Sequence, residues 1–260
     1  MQIKAKKSLG QNFLIDKNIL KKIVSVGDIS SGDNILEIGP GTGNLTEYII
    51  KSKPNNIIVV EKDIELSKIL ESKFKNQINI VNKDILKLSE GFYKEEFLTY
   101  GNLPYNISTQ ILAYWCLSKK IKFKKLILMF QKEVADRIIA KVDTKNYSRI
   151  TILANWKFSI KKIFDISPEC FSPKPKINST LLEFTPKNNI AEIQNPKNLE
   201  YITRIFFSQR RKMIKKNFKK LFKDFSNVSK SIGIKLTDRP QNISIDKYFK
   251  IVKEFEGKSD

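Results

Sequence analysis

Short apolar runs alternate with helix-like segments through the first two thirds of the chain. Apolar runs of this length, bounded by polar turns, are typical of strands that are buried on both faces. Five strands are predicted here, at Asn34–Ile38, Ile57–Glu61, Ile78–Val81, Phe97–Tyr100 and Lys125–Phe130. Helices are predicted between them, at Leu45–Lys51, Glu65–Phe74, Ser108–Leu117 and Lys132–Lys141. The alternation predicts an α/β domain with a parallel sheet covered by helices.

Two later apolar runs, Ile160–Ile166 and Ser179–Phe184, are predicted as further strands. The segment between them, Pro168–Pro175, contains three prolines and is therefore stiff. A pair of strands joined in this way suits an antiparallel pairing at the edge of the sheet.

After this pair the composition shifts to Asn, Pro and Lys between Pro186 and Pro196, as in a linker. The pattern beyond it is helical only. One apolar stripe at helical spacing is formed by Ile214, Phe218, Leu221, Phe222 and Phe225. We therefore predict a first domain over residues 1–187 and a small all-helical basic domain over residues 188–260.

The 260 residues include no histidine, which excludes Ser-His hydrolases and histidine-liganded metal sites. Cys116 and Cys170 lack metal-ligand spacing and are predicted to be reduced thiols, so no metal is expected. No apolar run reaches the roughly 18 residues of a membrane span. The basic N-terminus is not followed by an apolar signal core, so we expect a cytoplasmic protein. We separately expect a monomer.

The formal net charge is +21, which favours a polyanionic partner because lysines and arginines neutralise phosphates. AT-rich coding, which enriches Lys, Ile and Asn, is an alternative cause. The charge is concentrated, however: nine of the twenty residues from Arg204 to Lys223 are basic and none is acidic. Arg210, Arg211, Lys212, Lys215 and Lys216 are candidate contacts to the phosphates of a nucleic acid. A solvated helix face is the structural alternative.

A glycine-rich turn follows the first predicted strand and precedes a helix. It contains Glu37, Gly39, Gly41 and Gly43, with Gly-x-Gly-x-Gly spacing that differs from dinucleotide sites. Open α/β sheets bind ligands at this position. Without a ligand, the same sequence would be a tight strand-to-helix turn.

Two carboxylates follow the next strands. Glu61 ends the second strand and can accept hydrogen bonds from both ribose hydroxyls, while Asp84 ends the third and can accept from an adenine amine. Asp84 can equally cap a helix. Together with the glycine-rich turn, these positions favour a nucleoside with a small charged tail, such as S-adenosylmethionine.

The loop Gly101-Asn102-Leu103-Pro104-Tyr105 has the groups that an exocyclic base amine requires. The Asn102 side-chain oxygen and the Leu103 carbonyl can accept the two N–H groups of an adenine amine. This exposes the nitrogen lone pair. Tyr105 offers a face on which the base can stack. Tyr105 is otherwise an ordinary turn aromatic.

Phe171, on the stiff connection between the last strands, can close the other side of a flipped base. A core position is the alternative for this residue, since the chain contains 17 phenylalanines.

Several motifs in the same order make the chain resemble the ribosomal RNA adenine N6,N6-dimethyltransferases of the small subunit, from near one end to the other. They are Lys6-Lys7-Ser8-Leu9-Gly10-Gln11-Asn12-Phe13-Leu14, Glu37–Gly43, Glu61, Asp84, Asn102–Tyr105, Gln131-Lys132-Glu133-Val134, Phe171–Lys176 and Gln209-Arg210-Arg211-Lys212.

This resemblance implies a Rossmann-like class I methyltransferase fold, with a seven-stranded sheet and a helical C-terminal domain. It implies that Gln11, Asn12 and Leu14 lie against the methionine end of S-adenosylmethionine, and that Phe171 is a second stacking residue. The implied reaction carries four methyl groups to two adjacent adenines near the 3′ end of small-subunit rRNA. An assembling ribosomal particle is the expected partner.

Two alternatives share much of this pattern. One is the related group that methylates large-subunit rRNA and confers macrolide resistance, and the other is a non-catalytic nucleic-acid-binding factor on the same fold. Leu103, the run Gln209–Lys212 and the long helical tail favour the small-subunit type over the first. The intact cofactor and catalytic motifs argue against the second.

Overall fold

The computed structural model describes Lys6 and residues 11–257, which fall into two compact units. The first unit contains Lys6 and residues 11–114, 120–135 and 159–186. The second contains residues 115–119, 136–158 and 187–257. Residues 136–158 thus group with the C-terminal helices, although the sequence analysis assigned them to the first domain. Their contacts are distant in sequence and leave no local signal.

Nine strands are present in the described residues. They are β1 (Phe13–Leu14), β2 (Asn34–Ile38), β3 (Asn56–Glu61), β4 (Asn79–Asn82), β5 (Phe97–Asn102), β6 (Phe123–Gln131), β7 (Phe158–Ile166), β8 (Phe171–Ser172) and β9 (Ser179–Pro186).

Ten α-helices accompany these strands in the same part of the chain. They are α1 (Lys17–Gly27), α2 (Asn44–Lys51), α3 (Ile64–Phe74), α4 (Ser108–Leu117), α5 (Lys132–Ile138), α6 (Arg149–Lys157), α7 (Pro196–Ser208), α8 (Lys215–Leu221), α9 (Phe225–Ile232) and α10 (Ile245–Glu256). No helix in the described residues is both long enough and apolar enough to cross a membrane.

Seven strands form one sheet in the order β4-β3-β2-β5-β6-β9-β7. The pairings from β4 through β6 are parallel, and β9 runs antiparallel to β6. The mostly parallel seven-stranded sheet confirms the predicted fold class. The last two predicted strands are neighbours at the sheet edge, as expected.

A second, two-stranded sheet was not predicted. It pairs β1 with β8, with Leu14 opposite Phe171 and Phe13 opposite Ser172. Strands of two residues carry no periodicity, so their sequence gives no signal. The consequence is that the N-terminal segment is attached to the proline-rich connection.

Helix α1 was also absent from the predicted elements. Its N-cap is Asp16, whose carboxylate accepts hydrogen bonds from the backbone N–H groups of Asn18 and Ile19 at 2.9 and 3.0 Å. An Asp just before an amphipathic stretch is a recognised start signal, and here it marks the helix correctly.

The end of α1 packs closely against the sheet. The Tyr100 hydroxyl donates to the carbonyl of Val24 at 2.9 Å. A Cβ atom added to Gly27 would lie 1.8 Å from that hydroxyl oxygen. Glycine at this position therefore lets α1 approach β5.

The second unit buries a cluster of aromatic rings. The ring of Phe206 lies 5.7 Å from that of Phe218 and 5.5 Å from that of Tyr248, both in edge-on contact. Both distances are in the range favoured by aromatic pairs. These rings join α7, α8 and α10.

The single helical stripe predicted through Phe225 is wrong, because α8 ends at Leu221 and Phe222 is extended. Lysines at positions 215, 216, 219 and 220 form two like-charged i,i+4 pairs, which oppose a longer helix. Asp224 then caps α9 by accepting from the N–H of Asn227 at 3.2 Å. Helix α5 also stops earlier than predicted, at Ile138.

Candidate cofactor and base site

The glycine-rich turn adopts backbone conformations that only glycine takes without strain. The φ angles are +65° at Gly39, +60° at Gly41 and +77° at Gly43. A Cβ atom on Gly41 would lie 2.7 Å from the ring of Phe13. A Cβ atom on Gly43 would lie 2.4 Å from the ring of Phe74. The first contact brings the N-terminal segment onto the turn, and the second packs the turn against α3.

A cavity of about 170 Å³ lies between this turn, the ends of the parallel strands and the N-terminal segment. Most of the predicted site residues line it: Gln11, Asn12, Leu14, Glu37, Gly39, Gly41, Glu61, Asp84, Asn102, Leu103 and Tyr105. The structure does not bring Gly43 or Phe171 into this lining.

Glu61 is buried at the end of β3, and its two oxygens accept backbone hydrogen bonds. Oε2 accepts from the N–H of Gly41 at 3.2 Å, and Oε1 accepts from the N–H of Asp63 at 2.9 Å. Burial raises the pKa of Glu61, and these N–H groups only partly oppose that shift. Each oxygen keeps a further lone pair, so the carboxylate can still accept from ribose hydroxyls.

Glu37 is more deeply buried, at 2% exposure. Its Oε2 accepts a hydrogen bond from the Thr46 hydroxyl at 2.7 Å. Burial raises the pKa of Glu37 to about 7, against a weaker opposing effect of the Thr46 hydroxyl. A positively charged group bound beside Glu37 would favour its ionised form.

Asp84 stays ionised more readily than an ordinary aspartate. Burial acts to raise its pKa, but the ion pair with Lys62, at 3.0 Å, and the N–H of Leu86 outweigh burial, so the pKa is lowered. Its Oδ1 accepts from the Leu86 N–H at 3.1 Å, which is the helix-capping contact considered above. Asp84 thus caps a short 3₁₀ turn and also lines the cavity.

The Asn102 side chain has a defined orientation. Its Nδ2 donates to the backbone carbonyl of Asn12 at 2.9 Å. Because the amide nitrogen is directed there, Oδ1 is the free end of the group, and no described residue donates to it. The structure therefore presents an acceptor at the cavity, next to the buried Leu103.

Tyr105 is held through its hydroxyl. The Tyr105 oxygen lies 2.7 Å from the hydroxyl oxygen of Ser179, which is fully buried at the start of β9. Burial raises the pKa of Tyr105, so the hydroxyl remains protonated near neutral pH. The contact fixes the ring at the cavity wall. Ser179 was not predicted as a site residue, because its partner is distant in sequence.

Phe171 is 3% exposed and belongs to the same hydrophobic core as Leu14. Its ring is covered in this structure, so stacking against a base would require it to be uncovered. Its role as a second stacking residue remains a prediction.

The N-terminal segment is attached to the site by side-chain amides. Besides the contact of Asn102 with Asn12, the Asn44 Nδ2 donates to the carbonyl of Leu14 at 2.8 Å. Asn44 is the first residue of α2 and was missed by the sequence analysis, since nothing local distinguishes it from a helix-start residue. Part of the matching motif, residues 7–10, lies outside the described residues.

The predicted RNA contacts lie in the second unit, where the structure corrects their secondary structure. Arg210, Arg211 and Lys212 occupy a turn after α7, and only Lys215 and Lys216 are helical. Arg210 is half-buried and donates to the carbonyl of Thr144 at 3.0 Å. The other four side chains are exposed. A turn presents these cations on a less regular surface than the predicted helix would.

Among residues 11–257 and Lys6, no three His, Cys, Asp or Glu side chains are grouped so that they could hold a metal ion. The cavity instead offers carboxylates, amide oxygens and apolar walls, with Lys62, which pairs with Asp84, and Lys83 also in its lining. That donor set suits a nucleoside with a cationic tail, since the carboxylates match hydroxyls, an amine and a positive charge.

The sheet order, the glycine-rich turn and the acidic strand ends define the class of S-adenosylmethionine-dependent methyltransferases. Within that class, the family model for ribosomal RNA adenine dimethylase matches residues 2–257. The chain belongs to this family.

Similar proteins cover almost the whole chain. "Ribosomal RNA small subunit methyltransferase A" of Pelagibacter ubique (strain HTCC1062) is 56% identical, over 98% of both chains. The protein of the same name from Malacoplasma penetrans (strain HF-2) is 41% identical, over 96% of this chain and 92% of the relative.

Two solved structures resemble the chain along most of its length. A dimethyladenosine transferase from Plasmodium falciparum has a TM-score of 0.77 at 25% identity, and the match covers 94% of this chain and 98% of that protein's chain. The 23S rRNA methyltransferase ErmE has a TM-score of 0.69 at 21% identity, over 94% and 100% of the two chains. The second likeness shows the fold alone.

Glu37→Gln is expected to raise the free energy of unfolding relative to the wild type, and this gain is expected to grow as the pH rises. The raised pKa means that the native state holds its proton more tightly than the unfolded chain does. Native Glu37 therefore costs stability progressively from about pH 4.5 to about pH 7 and fully above it. At about 1.4 kcal/mol per pKa unit, the gain above pH 7 is on the order of 3 kcal/mol.

The measurement is the free energy of unfolding of the cofactor-free protein in urea at several pH values. Glu47→Gln is the control, because Glu47 lies on α2 next to Thr46 and its ion pair with Lys51 lowers the pKa of Glu47, which gives the opposite sign. A gain for Glu37→Gln that does not change with pH would contradict the assignment.

Proposed function

We propose that this protein transfers methyl groups from S-adenosylmethionine to N6 of two adjacent adenines near the 3′ end of small-subunit rRNA. The observation that carries this proposal is the fixed orientation of Asn102, whose Oδ1 is left as an acceptor at the cavity. The family and the names of the full-length relatives support the choice of substrate.

The catalytic loop acts by positioning the adenine amine. The amine lone pair is delocalised into the ring, which makes N6 a weak nucleophile. If Asn102 Oδ1 accepts one N–H and the Leu103 carbonyl accepts the other, the nitrogen pyramidalises and its lone pair is exposed. Pro104, which has no N–H, fixes the loop without competing for these acceptors. Tyr105 stacks on the base, held by Ser179.

The cofactor is held by the strand ends in this proposal. Glu61 would accept from the ribose hydroxyls, Asp84 would accept from the adenine amine, and Gln11, Asn12 and Leu14 would lie at the methionine end. When bound, S-adenosylmethionine supplies a methyl group already activated by its sulfonium. The protein therefore needs no strong base, and its contribution is orientation and exclusion of water.

The basic turn and the start of α8 contact rRNA phosphates and set register in this proposal, without recognising bases. The partner is an assembling small ribosomal particle, recognised by its folded shape. The protein acts in the cytoplasm as a monomer.

The experiment that tests the function measures transfer of labelled methyl from S-adenosylmethionine to two substrates, with the product nucleosides identified by mass. The substrates are unmethylated small ribosomal subunits and protein-free large-subunit rRNA. Dimethyladenine on small subunits alone is the expected result. Label on the large-subunit rRNA would identify the resistance-type activity instead, and RNA binding without any label would identify a binding factor.

Asn102→Ala is expected to lower the rate of methyl transfer by roughly two to three orders of magnitude, as for loss of one preorganised hydrogen-bonding group in other enzymes. Cofactor binding should be retained, because the acceptor that is lost faces the amine, although the variant also loses the contact of Nδ2 with the Asn12 carbonyl. Single-turnover rates and calorimetric cofactor binding measure the two effects separately. Near-normal turnover would mean that Asn102 is structural.

The triple variant Arg210→Ala, Arg211→Ala and Lys212→Ala is expected to bind small subunits more weakly and with less salt dependence. Each lost phosphate contact lowers the slope of log K against log salt by roughly 0.7 to 0.9. Binding measured from low to moderate salt gives this slope.

A matched control removes the same charge elsewhere. Lys68, Lys230 and Lys250 are exposed, and none of them forms an ion pair with a described residue. Their replacement by Ala should leave the slope near wild type. Equal effects of the two triple variants would show that net charge alone matters, and an unchanged slope in the first would show that the turn does not contact RNA.

A further inference from the structure

Asp63 is a buried carboxylate that the mechanism above does not use. It is 5% exposed, follows Glu61 by two residues and does not line the cavity. Its Oδ1 accepts from the N–H of Glu65 at 3.0 Å, which makes it the N-cap of α3. A capping contact alone uses only part of the carboxylate, which can accept about four hydrogen bonds.

The remaining contacts of Asp63 come from the N-terminal segment. Lys6 Nζ donates to Oδ1 at 2.9 Å, and Gln11 Nε2 donates to Oδ2 at 3.1 Å. The backbone N–H of Lys6 donates in turn to Gln11 Oε1 at 2.7 Å. Lys6, Gln11 and Asp63 therefore form a closed ring of three contacts, which also uses both ends of the Gln11 amide.

This ring joins two walls of the cavity. Residues 11–14 form one wall, and Glu61 and Lys62 belong to another. The backbone N–H of Asp63 donates to Glu61 Oε1 at 2.9 Å, so the same residue also orients the carboxylate predicted to bind ribose.

Opening the ring would be costly. Burial acts to raise the pKa of Asp63, but Lys6, Gln11 and the backbone N–H of Glu65 together outweigh it, so the pKa is lowered and the carboxylate is ionised. If Lys6 and Gln11 moved away, the buried carboxylate would lose both of its side-chain hydrogen-bond donors and keep only the backbone N–H of Glu65. The contacts of Lys6 and Gln11 and the charge on Asp63 therefore support each other.

We propose that Asp63 is a positioning residue for the cofactor, which it retains by binding Lys6 and Gln11 and so fixing the wall of the cavity that Gln11 helps to form. The proposal rests on the cofactor site described under the proposed function. It gives Gln11 a second role beside the predicted contact with the methionine end, since its amide closes the wall.

Lys6→Ala and Asp63→Asn test this role. Lys6→Ala leaves the cap of α3 intact, and Asp63→Asn keeps an oxygen for the Glu65 N–H while removing the charge. Each variant should weaken binding of S-adenosylhomocysteine roughly tenfold, as for loss of a charge-assisted hydrogen bond, mainly through faster dissociation. The double variant should bind S-adenosylhomocysteine about as well as whichever single variant has the lower affinity, because both changes break the same ring.

The readouts are calorimetric affinity and stopped-flow dissociation of S-adenosylhomocysteine, with hydrogen exchange at Gln11 and Asn12. Glu65→Gln is the control, because Glu65 is an exposed second partner of Lys6, at 2.8 Å, and lies outside the ring. It should bind like the wild type, and kcat at saturating cofactor should be unchanged in Lys6→Ala.

Wild-type affinity and dissociation in Lys6→Ala would overturn the proposal, even if Asp63→Asn failed to fold. Effects that multiply in the double variant would also overturn it, because they would show independent contacts. The proposed function fails in a different way, with normal binding of S-adenosylhomocysteine by the wild type and no methyl transfer to rRNA.

Discussion

The parallel pairing of β2 with β3 and β5 is the constraint on which the site depends. Ile38 lies opposite Val60 in one neighbour and opposite Gly101 in the other. Because the three strands end at nearly the same level, Glu61 and Asn102 follow directly at one edge of the sheet, beside the glycine-rich turn. The carboxyl edge of the sheet thus assembles a carboxylate, an amide and a turn from segments that are distant in sequence.

Negative and positive charges serve different parts of the molecule: carboxylates line the cavity, and lysines and arginines are on the surface. The chain carries a net charge of +21, yet Glu37, Glu61 and Asp84 line the cavity. Burial raises the pKa of the first two, so the cavity is poised to gain from a positively charged ligand. The excess of lysine and arginine is on the surface, where phosphates can approach. One composition therefore serves a cationic cofactor and an anionic substrate.

Sequence alone predicted the main sheet and most of the cavity lining, because both follow from local signals. Strand β2 was predicted with its observed bounds, and Glu61 and Asn102 stand at strand ends that apolar runs define. Contacts between distant segments gave no such signal. The ring of Asp63, the anchoring of Tyr105 by Ser179 and the two-residue pairing of β1 with β8 all depend on the completed fold. The basic turn was missed for another reason. The apolar residues keep helical spacing through this region, but the like charges of α8 and its neighbours oppose one continuous helix.

The contact between α1 and β5 has a consequence for how such chains change over evolution. Gly27 has room for no side chain while the Tyr100 hydroxyl lies beneath it, and that hydroxyl is itself bonded to Val24. Loss of the hydroxyl would open space at Gly27 and release the Val24 carbonyl, whereas a larger residue at position 27 would clash unless the hydroxyl had gone first. The two positions should therefore covary among homologues, with tyrosine accompanied by glycine and phenylalanine accompanied by residues that carry a side chain.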